Sequence, residues 1–246
     1  MASPDAPEID LIICDNDGCL LPEHNTMIDP ADLAPIAEHN RRAARGEAPP
    51  LIVCTGRPQP FVEFLMRVIH CDRWPCVCEG GVYLYRLDDN QARLDPAITA
   101  DDVAAIRACE HWVTRDRGWN LQAGKNAMVS IFVEDESEMD SRLDEVRSKV
   151  ESEGWPFEVG RTITYINVTL RHVSKATAAR RVLDELGVDG PRVLSIGDTA
   201  GDLPLREVSG HFACPANATD GVRRAADYVS ERPMLDGVLD ILERYV

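Results

Sequence analysis

The sequence lacks any long apolar run. No segment of its 246 residues approaches the roughly 20 consecutive apolar residues that a membrane-spanning helix requires. The N-terminal stretch MASPDAPEID also lacks the basic start and apolar core of a secretion signal. From both absences we expect a soluble protein of the cytoplasm.

Basic residues are scarce as well. Lysines and arginines number 26 against 42 aspartates and glutamates, which gives a formal net charge of −16. Such a charge repels a nucleic-acid backbone and an anionic membrane surface. We therefore expect neither nucleic acid nor membrane as a partner, whereas a hydrophobic content of 44% is ample for a packed core.

Cysteine, by contrast, is plentiful, with eight copies. Cys14 and Cys54 end apolar runs of the kind that form buried strands, where reduced thiols pack well. Cys71, Cys76 and Cys78 lie close together, but their spacing is not that of a closed zinc site. We therefore predict core packing for these residues, with no disulfides and no structural zinc.

The order of the apolar segments predicts the fold class. Short runs at 9–14, 50–55 and 76–78 have the composition of buried parallel strands, and helical periodicity lies between them. The same rhythm later gives a helix at 174–186, strands at 192–197 and 211–214, and helices near 218–226 and 235–245. This order predicts an α/β protein with a Rossmann-like parallel sheet and right-handed crossovers.

The alternation of apolar strands and helices changes between residues 88 and 170. Here the pattern predicts, in order, a helix near 100–117 that starts at Thr99, a strand at 127–133, a charged helix at 136–153 and a strand at 162–170. Mixed elements of this kind indicate an α+β insert with its own small sheet. We therefore predict a catalytic core of residues 1–87 and 171–246, with residues 88–170 as an inserted cap.

Four polar motifs fall at predicted strand ends or at a helix start. They are CDNDGCL (14–20), CTGRP (54–58), VSKATA (173–178) and IGDTAGD (196–202). Each alone is explained by an ordinary turn, cap or surface residue. In a parallel sheet, however, such ends converge on one crevice, so their joint placement favours a catalytic site.

Phosphoryl transfer explains why these residue types are needed. Its transition state spreads negative charge over the equatorial phosphate oxygens, so an attacking carboxylate needs positive charge nearby. Mg²⁺ prefers oxygen ligands and can join Asp15, a backbone carbonyl and Asp198 to the phosphate. Lys175 adds a second positive charge, while the Thr55 hydroxyl and the backbone N–H groups around Gly56 can hold phosphate oxygens.

Asp17 lies two residues beyond the predicted nucleophile, Asp15. A turn can point it into the same pocket from the leaving-group side, where it can protonate the departing alkoxide and later take a proton from water. The intermediate would be a phosphoaspartate, an acyl phosphate that water readily cleaves.

The four motifs resemble those of the haloacid dehalogenase superfamily, and the resemblance covers essentially the whole chain. It implies a role for each motif residue: Asp15 as nucleophile, Asp17 as acid/base with its carbonyl on the metal, Thr55 as phosphate ligand, Lys175 as the third-motif lysine, Asp198 as metal-binding acid, and Asp202 as its partner through a metal-bound water. Three positions depart from the common family pattern, namely Cys19 (usually Thr), Gly201 (usually Asn) and Glu79–Gly80 (often Asn–Gly). Glu79 thereby adds negative charge near the junction of core and cap.

The insert falls where this family carries its C2-type caps, and its β/α content resembles subclass IIB. The stretch 213–230 is most similar to the archaeal-type phosphoglycolate phosphatases. That likeness implies a small phosphorylated acid such as 2-phosphoglycolate as substrate, Mg²⁺ as cofactor, and a place for Asn217 beside the phosphate site.

The cap would recognise the leaving half of the substrate. Lys125 lies in the loop QAGKNA (122–127), where related phosphatases tend to place a cation facing the active site, and an ordinary solvent-exposed lysine explains it equally well. Arg161 and His172 are weaker candidates. Arg57 has three explanations, namely pairing with an acid, contact with substrate, or packing at a helix start.

Two other functions remain open from the sequence. One is a sugar-phosphate phosphatase or phosphomutase built on the same core. The other, of a different class, is a phosphoacceptor signalling module, since receiver domains also combine an Asp, a Thr and a Lys in a parallel α/β sheet. Asp17 and the large insert argue against the second.

Overall fold

The computed structural model describes residues 7–22, 26–162 and 164–246. Within them the regular elements are, in chain order, β1 (Leu11–Cys14), α1 (Ala34–Ala44), β2 (Leu51–Val53), α2 (Gln59–Val68), β3 (Cys76–Cys78), β4 (Tyr83–Arg86), β5 (Gln91–Leu94), α3 (Ala100–His111), β6 (Val129–Phe132), α4 (Met139–Glu153), β7 (Phe157–Arg161), β8 (Tyr165–Leu170), α5 (Lys175–Leu186), β9 (Val193–Ile196), β10 (His211–Cys214), α6 (Asp220–Ala225), β11 (Tyr228–Val229) and α7 (Met234–Tyr245).

The central sheet is parallel and has the order β11-β10-β9-β1-β2. Every residue of β1 is fully buried, as is expected of a strand covered by helices on both faces. Each such aliphatic side chain contributes about 1.5–3 kcal/mol through burial. The predicted α/β class with a parallel sheet is confirmed.

A second sheet lies next to the β2 edge of the first. Cys54 and Val77 form a single parallel bridge between β2 and β3, after which β3, β4 and β5 pair antiparallel. The β4–β5 hairpin therefore crosses residue 88, where the sequence-based boundary of the cap lies. The division into core and cap stays a prediction.

The third sheet, in the order β6-β8-β7, is antiparallel and belongs to the predicted insert. It has its own apolar cluster, to which α3 contributes Ile106 and α4 contributes Val146. The predicted start of α3 is observed, because Thr99 and Asp102 form a reciprocal capping box at its first turn. Strands β5, β7 and β11 were not predicted, and the strand predicted over 162–170 begins only at Tyr165.

All eight cysteines are buried with free thiols. Cys71 and Cys76 lie with their sulfurs 3.6 Å apart inside the main apolar cluster. Across the described ranges, no helix combines the length and the apolar character needed to cross a membrane.

Candidate active site

Three neighbouring parallel strands deliver the predicted motif residues to one place. Asp15 follows β1 directly, Thr55 and Gly56 come just after β2, and Asp198 comes just after β9. Because β1 lies between β2 and β9, the loops that follow these strands open at the same edge of the sheet. Lys175 is the first residue of α5, whose start is fixed by a capping box from Ser174.

Lys175 connects two buried carboxylates. Its Nζ lies 2.8 Å from Asp15 Oδ1 and 2.6 Å from Asp202 Oδ1. Burial works against the charge on Lys175, but the two carboxylates outweigh it and raise its pKa well above the usual range. Burial, together with the Asp202 charge, raises the pKa of Asp15 to about 7, against the lowering effect of Lys175. The predicted nucleophile and the predicted lysine are therefore in direct contact.

Asp202 also organises the turn after β9. Its Oδ2 accepts hydrogen bonds from the backbone N–H of Asp198 (3.2 Å) and of Thr199 (3.0 Å), and from the Thr199 hydroxyl (3.1 Å). Gly197 is required here, because a Cβ at that position would lie 2.3 Å from Asp202 Cβ. The carboxylate of Asp202 thus holds the Asp198 backbone in place as well as facing Lys175.

The turn that carries Asp15 and Asp17 is equally tight. Gly18 has a φ of +79°, and a Cβ on it would lie 2.1 Å from Asp198 Oδ2. The side chain of Asn217 supports this turn, since its Nδ2 donates to the Gly18 carbonyl (2.9 Å) while its Oδ1 accepts from Met234 N (2.7 Å). Asn217 therefore lies beside the turn that carries Asp15 and Asp17, and a direct contact with phosphate stays a prediction.

Asp17 is held by Arg57, which settles one of the alternatives left by the sequence. Nε of Arg57 lies 3.0 and 2.9 Å from the two Asp17 carboxylate oxygens, and a terminal nitrogen lies 2.5 Å from Oδ1. The guanidinium also stacks over the Phe61 ring, 5.1 Å from its centroid. Arg57 thus fixes the orientation of the Asp17 carboxyl group.

The acidic side chains fit a hard divalent cation. Asp15, Asp198 and Asp202 are buried and each offers a carboxylate oxygen within 4.8 Å of the others. Three buried carboxylates beside one lysine leave an excess of negative charge, which a cation would offset. Oxygen donors of this kind are the ligands that Mg²⁺ prefers. The backbone carbonyl of Asp17 is the further ligand predicted from the sequence.

A cavity of about 440 Å³, lined by Asp15, lies between the parallel sheet and the β6-β8-β7 sheet. Asp15, Asp17, Thr55 and Lys175 line it from the core side. From the opposite side it is lined by Lys125, Arg161, Tyr165 and Asn167. Four of the predicted core residues and the predicted cap lysine, Lys125, therefore face one pocket.

Lys125 is partly buried in this cavity. Its Nζ donates to Ser130 Oγ (2.5 Å), whose hydroxyl lies 2.5 Å from Asn167 Oδ1. Burial, together with the charge of nearby Arg57, lowers the pKa of Lys125 to about 8, while Glu79 opposes the shift. The alternative of an ordinary exposed lysine does not fit this environment.

The two weaker cap candidates differ in position. Arg161 lines the cavity and pairs with Asp140 at 3.2 Å. His172 lies 3.5 Å from Asp102, the acidic residue of the capping box at the start of α3.

Sequence reasoning did not single out the cavity-facing residues of β8. Tyr165, Asn167 and Thr169 line the cavity, whereas Ile166, Val168 and Leu170 between them are buried. The sequence YINVTL carries this signal, because alternation of polar and aliphatic residues marks a strand with two unlike faces.

Comparisons with known proteins bear on the family of this chain. A family model for haloacid dehalogenase-like hydrolases matches residues 111–242, more than half of the chain. A phosphoglycolate phosphatase of Haloarcula marismortui is 27% identical over 236 residues, which cover 95% of this chain and 96% of that protein. A phosphoglycolate phosphatase of Methanothrix thermoacetophila is 33% identical over 101 residues, which cover 41% of this chain and less than half (46%) of that protein.

Solved structures show the same fold. The Thermoplasma acidophilum protein 0175 superimposes with a TM-score of 0.74 at 20% identity, over 97% of this chain and 98% of that chain. A protein of Plasmodium vivax described as a HAD/COF-like hydrolase gives a TM-score of 0.75 at 18% identity, over 98% of this chain and 96% of its own.

The chain belongs to the haloacid dehalogenase-like hydrolases. The description of that family makes the protein a hydrolase and therefore an enzyme. The resemblance noted in the sequence is thereby confirmed, and a phosphoacceptor signalling module is set aside.

Proposed function

We propose that this enzyme is a Mg²⁺-dependent phosphatase that hydrolyses a small phosphate monoester through a phosphoaspartate on Asp15. One observation carries the proposal. The Asp15 carboxylate is buried at the core side of the cavity, 2.8 Å from Lys175 Nζ, with Asp198 and Asp202 beside it. A nucleophile, a fixed positive charge and a set of oxygen ligands are thus assembled at the wall of one pocket.

In the first half of the reaction, a carboxylate oxygen of Asp15 attacks phosphorus and the ester oxygen leaves. Lys175 neutralises charge on the equatorial oxygens. The Thr55 hydroxyl accepts a hydrogen bond from Arg57 N (3.1 Å), so its own proton can be donated to a phosphate oxygen. Asp15, Asp198, Asp202 and the Asp17 carbonyl would hold Mg²⁺, which when bound supplies further positive charge to the phosphate.

Asp17 acts first as the general acid and then as the general base. Protonated, it donates its proton to the leaving alkoxide as the ester bond breaks. As a carboxylate, it then takes a proton from the water that attacks phosphorus in the phosphoaspartate. Asp15 and inorganic phosphate are released, and Asp17 is again protonated for the next cycle.

For the substrate we propose a small phosphorylated acid, with 2-phosphoglycolate as the leading candidate. Lys125 faces the core residues across a cavity of about 440 Å³, where a carboxylate on the leaving half could pair with its ammonium group. The likeness to phosphatases named for phosphoglycolate supports the same choice.

The test is a screen of phosphorylated metabolites for release of inorganic phosphate in the presence of Mg²⁺. We expect repeated turnover, with 2-phosphoglycolate among the best substrates, and no turnover by an Asp15→Asn variant. Fast hydrolysis of hexose phosphates with indifference to phosphoglycolate would replace this substrate by the sugar-phosphate alternative. Transfer of phosphate to a second sugar hydroxyl instead of water would indicate a phosphomutase.

A further inference from the structure

Glu79 occupies an unusual position directly after β3. Its φ of +50° is uncommon for a residue that carries a side chain. Two backbone hydrogen bonds tie this turn to the loop after β2, from Glu79 N to the Arg57 carbonyl and from Gly80 N to the Thr55 carbonyl, each 2.9 Å long. The backbone of Glu79 is therefore part of the wall that carries Thr55 and Arg57.

The side chain of Glu79 reaches the inserted segment. Oε2 accepts hydrogen bonds from the backbone N–H of Asn126 (2.8 Å) and of Ala127 (3.2 Å), 47 and 48 residues further along the chain. Only 1% of Glu79 is exposed. Burial raises the pKa of Glu79, whereas these two N–H groups oppose the rise. A buried carboxylate is costly without such partners, so its burial and the docking of this loop depend on each other.

The docked loop also places a charged and an apolar side chain at the cavity. Lys125 directly precedes the two N–H groups that Glu79 binds, and Met128 directly follows them. Met128 packs beside Gly56 and Gly80, where an added Cβ would lie 3.9 Å from its methyl carbon and its sulfur, respectively. The contact made by Glu79 thus determines the position of Lys125 relative to the loop of Thr55 and Gly56.

We propose that Glu79 is a positioning residue that docks the loop 125–127 onto the core and thereby holds Lys125 over the active-site cavity. Its effect on kinetics rests on the proposed function. Its effect on the loop does not.

Hydrogen exchange tests the docking directly. In Glu79→Ala the amides of Asn126 and Ala127 should exchange at least about tenfold faster than in the wild type, because they lose their acceptor. Glu79→Gln keeps a carbonyl oxygen and should give an intermediate rate. The matched control is Asp102→Ala, which removes another buried carboxylate that accepts a backbone N–H, but from Thr99 within the insert. The proposal would be overturned if the amides of Asn126 and Ala127 exchanged at the wild-type rate in Glu79→Ala. It would also be overturned if Asp102→Ala accelerated the exchange of the same two amides equally.

A double-mutant cycle with Lys125 supplies the kinetic readout. Glu79→Ala alone should raise KM for 2-phosphoglycolate about tenfold with a smaller change in kcat. In a Lys125→Ala background it should change KM by less than about twofold, since the group that Glu79 positions is already gone. Fully additive effects would show that Glu79 does not act through Lys125. If the wild type hydrolyses no phosphorylated acid, the proposed function fails, while the exchange result still decides the docking.

Discussion

Replacement of Lys125 is the most direct test of how the cavity selects its substrate. The structure contains three lysines, and Lys125 is the one on the cap side of the cavity, opposite Asp15 and Lys175. Lys125→Ala removes the ammonium group, and Lys125→Met removes it while keeping most of the packing volume. Both variants leave the nucleophile and its neighbours untouched.

The expected loss follows from the contact. A charge-assisted hydrogen bond to a carboxylate contributes about 1.5–3 kcal/mol, which corresponds to a fall in kcat/KM for 2-phosphoglycolate of roughly 10- to 150-fold. Lys125 is partly buried and already oriented by Ser130 at 2.5 Å, so little side-chain freedom is lost on binding. We therefore expect values in the upper part of this range.

The pH dependence gives an independent check. With a pKa of about 8, Lys125 is about nine-tenths charged at pH 7 and about one-tenth charged at pH 9. The lowered pKa means that the charge is present below pH 8 and lost above it. The preference for phosphoglycolate over an aryl phosphate should therefore fall by about an order of magnitude between these pH values, and this slope should vanish in Lys125→Met.

The assay is phosphate release from 2-phosphoglycolate and from an aryl phosphate, each as kcat/KM from pH 6 to 9. Taking the ratio of the two substrates cancels titrations in the shared core. Lys149→Ala is the matched control, because Lys149 pairs with Glu153 on α4 and does not line the cavity. Equal losses on both substrates in the Lys125 variants would refute the assignment of a carboxylate contact.

Three further predictions concern the core. Chelation of divalent ions should abolish turnover and Mg²⁺ should restore it, because Asp15, Asp198 and Asp202 otherwise repel a phosphate dianion; full activity in chelator would contradict this. Asp17→Asn should slow turnover by about 10² or more while metal-dependent thermal stabilisation persists, and a near-normal rate would remove Asp17 from the proton transfers. Arg57→Met should slow phosphoenzyme formation from alkyl phosphates more than from aryl phosphates, whose leaving groups need no proton, as measured by rapid quench; equal slowing would indicate a general structural role.

The sequence by itself determined the parallel core and the polar motifs at its strand ends. Continuous aliphatic runs such as IDLIIC are buried on both faces in almost any environment, so local composition was enough to place β1 and hence Asp15 at a strand end. Capping signals are local as well, which is why the start of α3 at Thr99 was predicted correctly.

The short polar strands could be identified only from the tertiary structure. β5 is largely exposed and β7 has a single buried residue, Phe157, so neither carries a local apolar pattern. They are strands because β4 and β8 offer them backbone partners, and such pairing is a property of the assembled sheet.

The contacts that organise the cavity are likewise non-local. Arg57 and Asp17 are 40 residues apart, and Glu79 and Asn126 are 47 apart. Single-sequence patterns report on neighbours within a helix turn or along a strand, whereas a long side chain selects its partner by distance in the folded chain. The residue types of the candidate site were therefore readable from the sequence, while the partners that hold Asp17 and Lys125 in place were decided only by the tertiary structure.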